Sequence, residues 1–119
     1  MKHLPKHLRP RWRYLAVALE TSPDASIGRR GFQREVWYAA QNLLGDPGSA
    51  DADLTVVYFR FDDGGSGEAI VRVRRGEVDA GRAALACVDE VDGTPLGMYV
   101  RATSGTIRGA RSRLSEESA

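Results

Sequence analysis

The sequence lacks most of the residues from which small proteins build covalent or metal-held structures. Cys87 is the one cysteine among 119 residues, so no internal disulfide can form and no cysteine-based metal cluster is expected. No run approaches the ~18 apolar residues that a membrane span requires. The first residues, MKHLPKHLRPRWR, lack the apolar centre of a signal peptide. These absences favour a single-domain cytoplasmic protein that does not contact a membrane.

Residue patterns of catalysis are equally scarce. His3 and His7 lie in a basic, proline-flanked stretch without a nearby carboxylate, so we expect them to be solvated rather than to bind a metal. Cys87 lies in the apolar string ALACV, where a buried thiol is more common than a nucleophile. Nucleophile-elbow, Walker and zinc-binding spacings do not occur. We therefore predict no catalytic residue, no metal site and no cofactor bound by the protein itself.

Charge is segregated along the chain, although the formal net charge is only +1. Five cations precede the first acid, Glu20, three arginines follow at 72–75 and four more at 101–113. Arginine's planar fork suits bidentate phosphate contacts. A GC-rich genome would explain the excess of arginine over lysine, but not the clustering. The clusters favour a surface that binds a polyanion, provided that they converge in space.

Apolar periodicity predicts the element order β-α-β-β-α-β, followed by a C-terminal helix. Strands are predicted at 12–20, 53–61, 68–75 and 96–103, and helices at 29–44 and 76–91. The first helix would bury Phe32, Val36, Ala40 and Leu43, and the glycines and proline of 45–48 would end it. This order is the split βαβ pattern of ferredoxin-like and RRM-like α+β domains. We predict a basic arm at 1–11, one domain at 12–114 and a tail at 115–119.

Strand alternation divides the predicted sheet into two faces. Alternate apolar residues of the strands, such as Leu15, Val71 and Met98, would face the helices. The opposite face would carry Tyr14, Arg72, Arg74, Tyr99 and Arg101 together with small residues. Two interpretations stay open: an RNA platform on which aromatic rings stack with bases, or a face covered by the C-terminal helix or a partner. The RNP signature of a true RNA-recognition motif is missing.

The stretch VRATSGTIRGARSRL, at 100–114, combines a helix start with four arginines and no acid. Thr103 and Ser104 are suitable N-cap residues for a helix that begins near Gly105. The first N–H groups of a helix attract anions. Gly105 would let a phosphate approach the backbone, and Arg108 and Arg111 would flank it. Helix capping alone is the alternative explanation of the serine.

Three stretches of the sequence resemble a known family. They are RWRYLAVALE on the first strand, AIVRVRR on the third and SGTIRGARSRL at the end. The chain resembles component 2 of archaeal and eukaryotic ribonuclease P, the Pop-five family, from about Arg11 to Leu114. Val73 stands where a cysteine is expected in many members; both are small apolar groups.

The resemblance implies a non-catalytic subunit of a ribozyme-based endonuclease. That enzyme removes 5′ leaders from precursor tRNA, with Mg²⁺ on its RNA subunit. The implied partners are the ribonuclease P RNA, precursor tRNA in the holoenzyme and a TIM-barrel-like protein subunit, component 3. Two copies of this chain and two of component 3 would form a heterotetramer.

We expect RNA contacts from the basic arm, from two strands and from the turn and helix at the end. The candidate residues are Lys6, Arg9, Arg11, Arg13, Tyr14, Arg72, Arg74, Arg75, Arg101, Ser104, Gly105, Thr106, Arg108 and Arg111. A stand-alone module for single-stranded RNA is the alternative function. A small-molecule-sensing regulatory domain of the same fold is a third, which the clustered arginines disfavour.

Overall fold

The computed structural model describes the chain from residue 11 to residue 118. Its elements, in order, are β1 (Trp12–Glu20), α1 (Arg29–Ala52), β2 (Thr55–Asp62), β3 (Ser66–Arg74), α2 (Val78–Ala86), β4 (Glu90–Val91), β5 (Thr94–Pro95), β6 (Gly97–Ser104) and α3 (Ile107–Ser118). Four strands form an antiparallel sheet in the order β2-β3-β1-β6, and β4 and β5 form a separate hairpin. This is the strand order of the split βαβ pattern. The predicted ferredoxin-like α+β fold with an added helix is confirmed.

The predicted arm and the predicted tail can be compared with the structure only in part. Helix α3 runs to Ser118, through the residues that the sequence assigns to a tail. Most of the predicted basic arm, including Lys6 and Arg9, lies outside the described residues. None of the helices within 11–118 is long and apolar enough to cross a membrane.

Helices α1 and α2 cover one face of the sheet and form the main core with it. The strands contribute alternate residues to this core, as predicted: Leu15, Val17 and Leu19 from β1, and Ala69, Val71 and Val73 from β3. Phe32 and Leu85 are the largest helix side chains buried against them. Full burial of a side chain of this size stabilises the fold by ~1.5–3 kcal/mol.

Helix α3 covers part of the opposite face. Its Ala110 and Leu114 pack on Ala16 of β1 and Ile70 of β3, and all four are buried. Tyr14 lies at the margin of this second cluster, where it is partly buried. Of the two interpretations of this face, the structure shows the covering C-terminal helix over its centre, because the small side chain of Ala16 on β1 leaves room for α3 beside Ile70.

Several sequence predictions about the helices are wrong in part. The second helix, predicted at 76–91, is α2 and ends at Ala86, and Glu90–Val91 form strand β4. Gly45 has φ 74° and ψ 172° and breaks α1, but the helix resumes and ends at Ala52, because Pro47 lies in the first turn of the second segment, where proline is tolerated. Leu43 is 48% exposed, and Leu44 packs against the core instead. Cys87 is exposed at the end of α2 rather than buried, and its thiol donates to the Ala83 carbonyl.

The outer edge of β2 is covered by a stripe of α1 side chains spaced four residues apart. Arg29 donates to the Val56 carbonyl over 2.9 Å, and the Gln33 side-chain oxygen accepts from the Val56 N–H over 2.6 Å. The indole of Trp37 donates to the Leu54 carbonyl. Unpaired edge groups invite strand addition, so these bonds protect this edge of the sheet from it.

Candidate nucleic-acid interface

Strand pairing brings the basic segments together at one end of the sheet. Trp12, at the start of β1, is opposite Arg74, at the end of β3. Tyr14 is paired with Arg72 on one side and with Ser104, at the end of β6, on the other. Adjacent strands lie ~4.8 Å apart, so Arg72 and the turn that leads into α3 flank β1 at ~10 Å separation.

The turn between β6 and α3 is built by two hydroxyl groups. The Ser104 Oγ accepts from the Thr106 N–H over 3.2 Å, and the Thr106 Oγ1 accepts from the Gly109 N–H over 3.0 Å. Thr106 is therefore the N-cap of α3. The prediction that Thr103 or Ser104 caps a helix beginning near Gly105 is wrong by two to three residues, and Ser104 instead closes the turn before the cap.

Two glycines in this region have different surroundings. A Cβ built on Gly109 would lie 2.3 Å from the Ser104 Oγ and 3.0 Å from the Thr106 Oγ1, so the compact turn requires glycine there. A Cβ on Gly105 would meet only the Arg13 guanidinium, at 3.8 Å. The backbone at Gly105 is thus exposed and has a cation beside it, as an anion-binding turn requires.

Two guanidinium groups lie over the indole ring of Trp12. The Arg72 Cζ lies 3.8 Å from the ring centroid and the Arg74 Cζ 5.0 Å from it. Arg74 also lies 3.6 Å from an Asp53 carboxylate oxygen. Trp12 is not among the candidate residues predicted from the sequence. Strand alternation could have found it, since residues 12, 14 and 16 share one face and Trp12 is opposite an arginine.

The arginines of α3 differ in their contacts. Arg108 is exposed and lines a shallow groove together with Ile107, Arg111 and Ser112. The Arg111 Cζ lies 4.5 Å from the centroid of the Tyr58 ring of β2. This cation–π contact fixes α3 on the sheet, so Arg111 has a structural role beside any contact with RNA.

Arg101 is separated from the other arginines. It is the extra residue of a bulge, because Ala16 pairs with Ala102 while Val17 pairs with Val100. With Tyr99 and Glu20 it lines an open cleft beside Leu114 of α3. Acidic side chains share this cleft: Glu68 and Asp62 lie 3.2 Å and 3.7 Å from the Arg60 guanidinium. The expected single platform of tyrosines and arginines is thus divided by α3, and its far part carries mixed charge.

Most of the candidate RNA-binding residues nevertheless meet at one place. The Arg11 carbonyl accepts from the Arg75 N–H over 2.8 Å, which brings these two residues to the same end as the turn. We call this surface the basic end; it comprises Arg11, Arg13, Arg72, Arg74, Arg75, Ser104, Gly105, Thr106 and Arg108. Arg101 lies apart from this surface. Tyr14 packs beneath α3, and Arg111 holds α3 on the sheet through its contact with Tyr58. Within residues 11–118, no group of three or more His, Cys, Asp or Glu side chains is arranged to hold a metal ion.

Known proteins with similar sequences fall in one family. The model of the Rpp14/Pop5 family matches residues 13–115. Ribonuclease P protein component 2 of Halorubrum lacusprofundi is 67% identical over 113 residues, which are 95% of this chain and 70% of that protein. The component 2 of Natronomonas pharaonis is 68% identical over 108 residues, which are 91% of this chain and 66% of that one. The chain thus spans about two thirds of the length of these haloarchaeal relatives.

More distant relatives extend the likeness to the whole chain and to the fold. The component 2 of Methanosarcina mazei is 32% identical over 117 residues, 98% of this chain and 95% of that protein. A chain of the cryo-EM structure of yeast ribonuclease MRP superposes with a TM-score of 0.60 at 16% identity, over 91% of this chain and 88% of that chain. The second match shows a shared fold. The chain belongs to the Rpp14/Pop5 family of ribonuclease P protein components.

Proposed function

We propose that the chain is a non-catalytic, RNA-binding subunit of ribonuclease P that assists removal of 5′ leaders from precursor tRNA. In this proposal the basic end binds phosphates of the ribonuclease P RNA. The Mg²⁺ ions that act on the scissile phosphate belong to the RNA. A TIM-barrel-like protein, component 3, is the proposed protein partner, in an assembly with two copies of this chain.

The observation that carries the proposal is the convergence of arginines from three separate elements on one end of the sheet. Arg13, Arg72 and Arg108 come from β1, β3 and α3. Arg72 lies over an indole ring, Arg13 lies beside a glycine turn, and Arg108 is exposed. The ion pair between Asp53 and Arg74 offsets this charge only weakly because both side chains are more than 40% exposed. Clustered arginines of this kind bind phosphates and release counterions from RNA.

Co-purification tests the proposal. An affinity-tagged full chain is recovered from cells of its host, and the RNA bound to it is sequenced. We expect one long structured RNA, with precursor tRNA as a minor species. Recovery of many short single-stranded RNAs without a dominant species would instead indicate a stand-alone RNA-binding module. The matched control is the variant Arg72→Gln, Arg108→Ala, which should lose the RNA and stay folded.

A further inference from the structure

Two arginines lie over the ring of Trp12, closer together than a generally basic surface requires. Arg74 is directly opposite Trp12, and Arg72 is two residues away from Arg74 on β3, so all three side chains leave the same face of the sheet. The indole therefore has two like charges near it, with both guanidinium carbons within 5.0 Å of its centroid. Two guanidinium groups held this close repel each other, and an anion between them would relieve the repulsion.

Arg72 is the more firmly held of the two. Its Nε is buried and makes no hydrogen bond within the described part of the chain. Within residues 11–118, Arg72 also makes no ion pair with a carboxylate. A cation that is partly desolvated and not neutralised by a carboxylate attracts an anion more strongly than a solvated cation, because charge attraction increases as the effective dielectric constant falls.

We propose that Trp12, Arg72 and Arg74 form a clamp for one phosphate group. The indole face fixes the planes of both guanidinium groups, and their terminal N–H groups donate to the phosphate oxygens. Trp12 acts through the arginines and is a positioning residue. Tryptophan suits this task because its ring gives the strongest cation–π attraction, and arginine because its planar fork matches phosphate geometry. The identity of the natural occupant, an RNA phosphodiester, rests on the proposed function.

The neighbouring Arg75 provides a matched comparison. It follows Arg74 directly, is exposed and has the same charge, but Arg72 and Arg74 are the arginines that lie over the ring. If phosphate is attracted only by the general positive charge of the basic end, Arg72 and Arg75 should respond alike. If the clamp binds it, the response should be concentrated at Arg72 and Arg74.

NMR of the arginine Nε–H groups in the ¹⁵N-labelled full chain tests the clamp. Inorganic phosphate replaces chloride at constant ionic strength, and loss of a signal in Arg72→Lys identifies Arg72. We expect a saturable shift of the Arg72 signal and a much smaller shift for Arg75. In Trp12→Leu, which keeps an apolar side chain but has no ring, the apparent phosphate affinity should fall about tenfold. Equal shifts for Arg72 and Arg75, or unchanged affinity in Trp12→Leu, would overturn the clamp.

A second pair of variants covers the case in which Trp12→Leu does not fold. Arg74→Gln should weaken phosphate binding about tenfold, and Arg75→Gln should weaken it much less, because Arg75 adds only general positive charge; equal effects would again overturn the clamp. Short single-stranded RNA is then added as the second probe. RNA that displaces phosphate from Arg72 supports a phosphodiester as the occupant, and RNA that binds without moving the Arg72 signal refutes that assignment. Phosphate binding by a chain that does not bind the ribonuclease P RNA would contradict the proposed function but not the clamp.

Discussion

Thr106 and Arg108 are two residues apart and perform different tasks at the start of α3. Thr106 accepts a hydrogen bond from the Gly109 N–H, whereas Arg108 is exposed beside the turn. Ser104, which the sequence suggested as the cap, accepts only from the Thr106 N–H. Structural and functional contributions can therefore be separated by substituting one residue at a time.

The first prediction compares Arg108→Ala with Thr106→Ala. Arg108→Ala should weaken binding of ribonuclease P RNA about tenfold to a hundredfold, because a charge-assisted hydrogen bond contributes ~1.5–3 kcal/mol. Its melting temperature should stay unchanged. Thr106→Ala should lower the free energy of unfolding by ~0.5–2 kcal/mol, the usual cost of a lost N-cap. Thermal melts and fluorescence anisotropy measure both. If Arg108→Ala instead lowers stability and spares affinity, the arginine holds α3 and does not bind RNA.

A second prediction concerns Gly109. Replacing an exposed helical glycine with alanine normally stabilises a helix by up to ~1 kcal/mol. Here the new Cβ would lie 2.3 Å from the Ser104 Oγ and force that hydroxyl to leave the Thr106 N–H. Gly109→Ala should therefore give no gain, whereas the same change in a Ser104→Ala background should stabilise by about 1 kcal/mol. Additive effects in a double-mutant cycle from denaturant melts would contradict this account of the turn.

At the scale of elements, the alternation of apolar residues was sufficient to predict the strands of the sheet and the residues that face its core. The inward residues of β1 and β3 follow period 2 without interruption, so Leu15, Val17 and Val71 could be assigned to the core. Alternation is less informative where a strand has a bulge. In β2, Val56 pairs with Val71 and Tyr58 pairs with Ile70, so Val57 is an extra residue and shifts the pattern. Neither its place nor that of Arg101 in β6 is visible in the sequence.

The path of α3 is the main feature of the site that the sequence left open. Its three arginines indicated a basic helix, but the length of the turn and the apolar residues beneath it decide where it lies. Ala16 and Ile70 make a shallow apolar surface onto which Ala110 and Leu114 fit. Nothing in the local pattern distinguishes this packing from an exposed helix over an open platform, because only two of its described residues are buried.

The third prediction tests the docking of α3. Leu114 is 3% exposed and is the largest side chain that α3 buries in the second cluster. Leu114→Ala should destabilise the protein by about 2 kcal/mol, near the lower end for core leucines because the site lies at the sheet surface. Leu43→Ala on the exposed side of α1 is the control and should cost less than ~0.5 kcal/mol. Equal losses in urea melts of the two variants would contradict the packing of α3 on the sheet.

At the scale of the whole molecule, a near-neutral protein presents two surfaces of different character. The basic end gathers arginines from β1, β3 and α3, while the cleft beyond α3 combines Arg60 with Glu68 and Asp62. The formal net charge of +1 averages over these regions and therefore does not reveal the basic end. Only the folded topology, which brings residues 13, 72 and 105 to one end, separates the charges.

The central claim is that this chain supports RNA-based cleavage and does not itself cleave. The most direct measurement is cleavage of a precursor tRNA in the presence of Mg²⁺. The assay compares the pure chain, the ribonuclease P RNA with the other protein subunits, and the complete mixture. We expect no cleavage by the chain alone, and leader removal by the complete mixture that is much faster than without the chain. The variant Arg72→Gln, Arg108→Ala should lose most of this stimulation, while Arg82→Gln on α2 should retain it. Cleavage that co-fractionates with the RNA-free chain, or an RNA-dependent rate that the chain does not change, would contradict the claim.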